Sequence, residues 1–66
     1  MSLTADNLAE QRALAGHSVT SLAKVAGVSD WTIQRLEVGG HEENAVVQAI
    51  ADALGISLAT LGAREL

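Results

Sequence analysis

The side chains able to do chemistry are few and scattered. The chain has no cysteine, so it offers neither a disulfide nor a thiolate metal site. Its two histidines, His17 and His41, each lack a second ligand at metal spacing. No serine, threonine or lysine stands with a base in a nucleophile set. Gly39-Gly40 lacks the lysine and the preceding strand of a phosphate-binding loop and reads as a helix end and turn. These absences argue against an enzyme and imply no cofactor. What remains is charge: eight acidic residues against four basic ones, for a net charge of −4. The basic residues are Arg12, Lys24, Arg35 and Arg64. Two carboxylates, Glu42 and Glu43, stand side by side after the glycine pair.

These groups must be positioned by short helices. Alanine and leucine dominate and proline is absent, a composition that favours helix over strand. Sixty-six residues hold one domain, 1–66, with a small core. Punctuation falls to glycine: Gly16, Gly27, Gly39-Gly40, Gly55 and Gly62 each follow a helix-like run, as residues adopting left-handed backbone after a helix end do. The pattern predicts an all-α, compact five-helix domain with helices at about 4–15, 19–26, 30–38, 44–54 and 58–62. Thr4 or Ser2, Ser18, Ser29, Asn44 and Ser57 stand where N-caps belong. Leu8, Arg12 and Ala15 share a face of the first helix. Leu22, Ala23 and Ala26 face inward on the second, and Ile33, Leu36 and Glu37 share a side of the third. Val46, Val47, Ile50, Ala51 and Leu54 form the stripe of the fourth. Arg12 and Glu37 therefore fall on otherwise apolar faces, and a charge so placed needs a partner; the alternative is two surface charges. The expected penalty for breaking a fully buried pair is about 3–5 kcal/mol. Ala26-Gly27-Val28-Ser29 is too short for a free loop and fixes a tight turn, with Val28 under the bend. Two helices joined in this way make a helix-turn-helix pattern. No apolar run is long enough to cross a bilayer and no secretory leader is visible, so a cytoplasmic protein without membrane contact is expected.

From about Leu8 to Leu61, the run Gly16-His17-Ser18-Val19-Thr20-Ser21-Leu22-Ala23 followed by Gly27-Val28-Ser29-Asp30-Trp31-Thr32-Ile33-Gln34-Arg35-Leu36-Glu37-Val38-Gly39 resembles the family of phage lambda repressor and Cro, the Xre type. Ala51-Asp52-Ala53-Leu54-Gly55-Ile56-Ser57-Leu58 is similar to its fourth-to-fifth helix junction. The resemblance implies a lambda repressor-like DNA-binding domain, with Leu22, Ala23, Gly27, Val28, Ile33 and Leu36 in the core of the helix pair. It also implies an Arg12–Glu37 ion pair tying the first helix to the end of the third. The third helix would be the recognition helix, presenting Ser29, Asp30, Trp31, Thr32, Gln34 and Arg35 to the major groove of double-stranded DNA. Ser18 and Val19 would begin the helix that crosses the backbone, where amide N–H groups can hold a phosphate oxygen. The loop from Gly39 to Asn44 would run beside the strand.

The chain departs from that family at the surface. Val19 stands where glutamine is common, Asp30 where polar or basic residues are, and Glu42-Glu43 where the loop is often basic. Carboxylates beside phosphates repel. Asp30 can accept from cytosine N4, but an acid there also serves as a helix N-terminal charge. Trp31 has three open placements: against a thymine methyl, against a protein partner, or folded back over the helix pair. Arg35 is the best candidate for a base or phosphate contact, since arginine to guanine is the commonest specific pairing; a solvated charge beside a carboxylate is the alternative. Lys24 and Arg64 are expected at the surface, and His17 as a half-buried neutral imidazole. The leading expectation is a sequence-specific, DNA-binding transcriptional regulator acting as a homodimer. Dimer contacts would come from Leu58, Leu61 and Leu66 or from the loop before the fourth helix. With Arg12 paired, a dimer would make about four phosphate contacts, a salt slope on the order of −3 to −4. The alternative is a protein-interaction module presenting Val19, Trp31 and the acidic loop.

Overall fold

The computed structural model describes residues 1–66. It runs β1 (Ser2–Ala5), α1 (Leu8–Leu14), α2 (Val19–Ala26), α3 (Asp30–Glu37), β2 (Glu42–Glu43), α4 (Asn44–Leu54), α5 (Leu58–Leu61) and β3 (Ala63–Glu65). The helices meet around one cluster in which Leu8, Leu22, Ile33, Leu36, Val47, Ile50 and Leu61 are almost wholly buried. Each such side chain contributes roughly 1.5–3 kcal/mol by leaving water. α4 is the central element, packed against α2, α5 and β1. Its buried stripe is Val47, Ile50 and Ala51, with Val46 and Leu54 half-buried at its margins.

Local chemistry sets the helix boundaries. Ser18, Ser29 and Ser57 have extended backbone and accept hydrogen bonds from the amides of Ser21, Thr32 and Thr60 at 3.0, 3.1 and 3.1 Å. Each satisfies one amide that the helix start leaves without a partner. Five glycines end runs with positive φ, whereas Gly40 does not. No helix is long and apolar enough to cross a membrane.

The fold is not purely α-helical. A three-stranded sheet of order β2-β1-β3 joins the two ends of the chain to the loop before α4. Both pairings are antiparallel, with Ser2 opposite Glu43 and Leu3 opposite Glu42 on one side. On the other side Leu3, Thr4 and Ala5 lie opposite Glu65, Arg64 and Ala63. The first helix therefore begins at Leu8 rather than near Thr4, and neither Ser2 nor Thr4 caps it. Leu3, Thr4 and Ala5 are instead buried in the middle strand. Asn7 occupies the N-cap position without a side-chain cap. Its amide side chain instead donates to the carbonyl of Thr60 at 3.2 Å. The sheet also displaces the cap of α4. Glu43 is held extended by its pairing, so Asn44 becomes the first helical residue and its N–H donates to the Met1 carbonyl at 3.1 Å. Ala15 is exposed rather than inward, because α1 has already ended. Leu61 is wholly buried and has no surface to offer a second copy; Leu58 is half-buried and Leu66 is exposed.

The sheet's outer face carries a charge pair. Arg64 Nε donates to Asp6 Oδ2 at 2.6 Å. That hydrogen bond holds the Asp6 carboxyl below the usual carboxylate range, with desolvation opposing it and the charge of Arg64 adding to it. A carboxyl whose folded value is lowered stabilises the fold above its ordinary range and loses that contribution as pH falls through the lowered value. The stability advantage of the wild type over Asp6→Asn should therefore be present at neutral pH and shrink below about pH 4. Thermal melts of both proteins from pH 7 to pH 2 check this; parallel curves throughout would refute the pairing.

Candidate nucleic-acid interface

The α2–α3 pair is held from three directions. At the turn, Gly27 takes φ +75°, and the Val28 N–H donates to the Ala23 carbonyl at 3.0 Å. Val28 is half-buried against the core. At the crossing, Ala23 is 2% exposed, and a larger side chain there would push the helices apart. On the outer surface, Thr20 Oγ1 donates to Asp30 Oδ2 at 2.7 Å, bracing the first turn of α2 to the first turn of α3. Asp30 is also an anion at a helix N-terminus, where the peptide dipoles favour it.

The third helix is fixed from its far end as well. Arg12 Nε donates to Glu37 Oε2 at 2.5 Å and Arg12 Nη2 to Glu37 Oε1 at 3.2 Å, a two-pronged arrangement. Arg12 Nη1 donates to the His17 carbonyl at 3.0 Å. One guanidinium thus joins α1, the α1–α2 turn and the last residue of α3. Its hydrogen bonding to Glu37 holds Arg12 more firmly protonated than usual, opposed in part by burial. The side chains keep 21% and 15% of their surface, so water reaches the pair and the cost of breaking it falls below that of a fully buried pair. His17 Nδ1 lies 2.6 Å from Ser21 Oγ, and the ring is half-buried.

With Ile33 and Leu36 pointing into the core, the opposite face of α3 looks outward. Trp31 lies at its centre with 66% of its surface exposed, so the ring does not fold back over the helix pair. Gln34 is exposed beside it and makes no side-chain hydrogen bond within the chain. Val38, two turns beyond Trp31, is 84% exposed. Ser18, Ser29 and Asp30 are exposed, while Val19 and Thr32 are half-buried. Val19 packs against the core, and the Thr32 hydroxyl lies 3.0 Å from Ser29 Oγ. Thr20 and Val38 were not anticipated. Val38 was legible as the seventh residue after Trp31, on the same helix face; the Thr20 contact needed the interhelical geometry.

Arg35 is not a free charge. Its Nη2 donates to the His41 carbonyl at 2.5 Å and lies 3.5 Å from Glu42 Oε2. The main chain closes the same contact, with the Gly40 N–H donating to the Arg35 carbonyl at 2.8 Å. A Cβ on Gly40 would sit 2.7 Å from that oxygen, which is why glycine stands there. The three arginines are thus each paired with a carboxylate: Arg12 with Glu37, Arg35 with Glu42 and Arg64 with Asp6. Lys24 is the remaining Lys or Arg, with no carboxylate within 4.0 Å. Glu10, Asp30, Glu43, Asp52 and Glu65 have no basic partner. No group of three or more His, Asp or Glu side chains gathers as a metal would require.

Because Arg12 joins three segments, its loss should act on the whole fold. Arg12→Ala is expected to lower stability by about 2 kcal/mol, a drop in Tm of roughly 10 °C. Thermal unfolding followed by circular dichroism measures it. A variant melting with the wild type would remove the pair from any structural role.

These features agree with comparison to known proteins. A family model described as helix-turn-helix matches residues 8–61, which takes in α1 to α5 and leaves out β1 and β3. No curated protein and no solved structure matches the chain. The match covers most of the sequence, and the chain belongs to the helix-turn-helix family of the Xre and lambda-repressor type, a family of DNA-binding transcriptional regulators.

Proposed function

We propose that this protein is a sequence-specific transcriptional regulator that sets α3 in the major groove of double-stranded DNA, two copies acting on a two-fold site. The observation that carries the reading is the outward face of α3. Ile33 and Leu36 pin the helix while Trp31 and Gln34 project from its first two turns, where a recognition helix meets base edges. The first amides of α2, beside Ser18 and Val19, have no acceptor within their helix and suit a phosphate oxygen. Lys24, on the same helix, adds a charge. The helices of this reading lie within residues 1–66, and a regulator of this type works in the cytoplasm, where the DNA is.

Electrostatics makes the mode of binding unusual. With Arg12, Arg35 and Arg64 paired, Lys24 is the one Lys or Arg that each copy leaves free for a phosphate. Two copies then displace about two counterions, and the salt slope should be on the order of −2, shallower than the four basic residues suggest. Binding leans on amides, side-chain hydrogen bonds and apolar contact. The same pairing favours a second reading, a protein-interaction module using Trp31 and the acidic loop. Five unpaired carboxylates against one unpaired lysine leave a negative field that attracts a cationic partner.

Fluorescence of the lone tryptophan separates these readings. Titrating a random-sequence DNA pool at low salt should give a saturable change in Trp31 emission that weakens with added salt along the shallow slope. A folded protein whose emission ignores DNA at every salt concentration would refute general DNA binding and turn the search to a cationic protein docking at Trp31.

A further inference from the structure

We infer that the base pairs beneath α3 are A·T-rich, and that Arg35 is a clasp for the 39–43 loop rather than a reader of guanine. The inference rests on the DNA-binding reading above and adds the composition of the site.

Guanine is distinguished in the major groove chiefly by arginine or lysine reaching O6 and N7 together. Arg35 is the sole basic residue on α3. Its guanidinium is turned onto the loop, donating to the His41 carbonyl at 2.5 Å with Glu42 Oε2 at 3.5 Å. The loop wraps the residue from its main chain as well, through the 2.8 Å bond from the Gly40 N–H to the Arg35 carbonyl. Gly40 leaves no room between them, since a Cβ there would lie 3.1 Å from Arg35 Cγ. Moving the guanidinium to a base would break its bond to His41. It would also leave the Glu42 carboxylate without its cation beside the phosphates, so the loop and the charge balance both hold the arginine back. Cytosine is read best by a carboxylate accepting from N4, and the carboxylate on this face is Asp30. One of its oxygens already receives the Thr20 hydroxyl at 2.7 Å.

What the helix leaves free is of another kind. Gln34 is exposed with its amide unengaged, and a glutamine amide matches the N6 donor and N7 acceptor of adenine. Trp31 presents 66% of its surface, an apolar body suited to the thymine methyl group. Val38, 84% exposed, continues the apolar row along the helix. An amide between apolar groups, with the arginine withdrawn, is a surface for adenine and thymine.

Selection of a site from randomised double-stranded DNA at low salt tests this with the wild-type protein. The enriched sites should be A·T-rich over the few base pairs under each copy. Replacing thymine by uracil in them should weaken binding severalfold, an effect absent in Trp31→Ala. Gln34→Ala should relax the preference for adenine at one position by on the order of tenfold. Arg35→Met, shown to be folded by circular dichroism, should weaken binding without changing which bases are preferred. A constrained guanine in the wild-type site, with its preference lost in Arg35→Met, would overturn the inference and leave DNA binding standing. No enriched sequence from any pool would overturn the DNA reading, and this inference with it.

Discussion

The position of the third helix depends on Arg12. A guanidinium has donors in a fixed plane, so two bonds to Glu37 and one to the His17 carbonyl determine where α1, α3 and the α1–α2 turn lie relative to one another. Apolar packing alone would tolerate some sliding of α3 on the core, because Leu and Ile contacts have little direction. The Gly27 turn fixes one end of α3 and the Arg12 fork fixes the other. Between them Ile33 and Leu36 have one way to enter the core, and the face that carries Trp31 and Gln34 is set by difference. Lysine at position 12 would keep the charge but lose the fork.

The same economy of cations shapes the surface. A small acidic chain has few positive groups, and here three of four bind carboxylates within the fold. Arg64 braces the sheet, Arg12 braces the helices and Arg35 braces the loop. The loop needs its brace because Glu42 and Glu43 are adjacent and Glu43 must stay extended to pair with Ser2. Structural demand has therefore drawn charge away from the face where DNA would use it. The outcome is a third helix whose outward face offers Trp31, Gln34 and the Asp30 carboxylate but no free cation.

Much of this was legible in the residues. Serine caps, glycine ends and helical periodicity located α2, α3 and α5 to within a residue, because capping and amphipathicity are local. Arg12 and Glu37 stood on apolar faces, which demanded a partner for each. The sheet was not legible. Leu3-Thr4-Ala5 and Ala63-Arg64-Glu65 carry little β-propensity and lie about sixty residues apart, so their pairing has no signature in any sequence window. Capping chemistry and helical periodicity pointed to a helix start near Thr4, and long-range strand pairing overrode them. The engagement of Arg35 was hidden for a related reason. Arg35 and Glu42 are seven residues apart across a glycine turn, and only the path of that turn brings them together.

The position of the sheet outside the matched segment bears on what the fold can change. β1 and β3 flank residues 8–61, and β2 lies in the loop before α4. β1 packs against α4 while its neighbours pair with it edge to edge. Leu3 and Ala5 thus close the core on the side served by α4, and β1 contributes side chains to the cluster that also holds Ile33 and Leu36. A domain of this size has few buried residues to stabilise it, and tying both chain ends across the core adds burial without adding a helix. It also commits Glu42 and Glu43 to strand geometry, which positions the Glu42 carboxylate to hold Arg35. The sheet that completes the core thereby constrains the arginine on α3, so the strand pairing and the outward side of that helix share one loop.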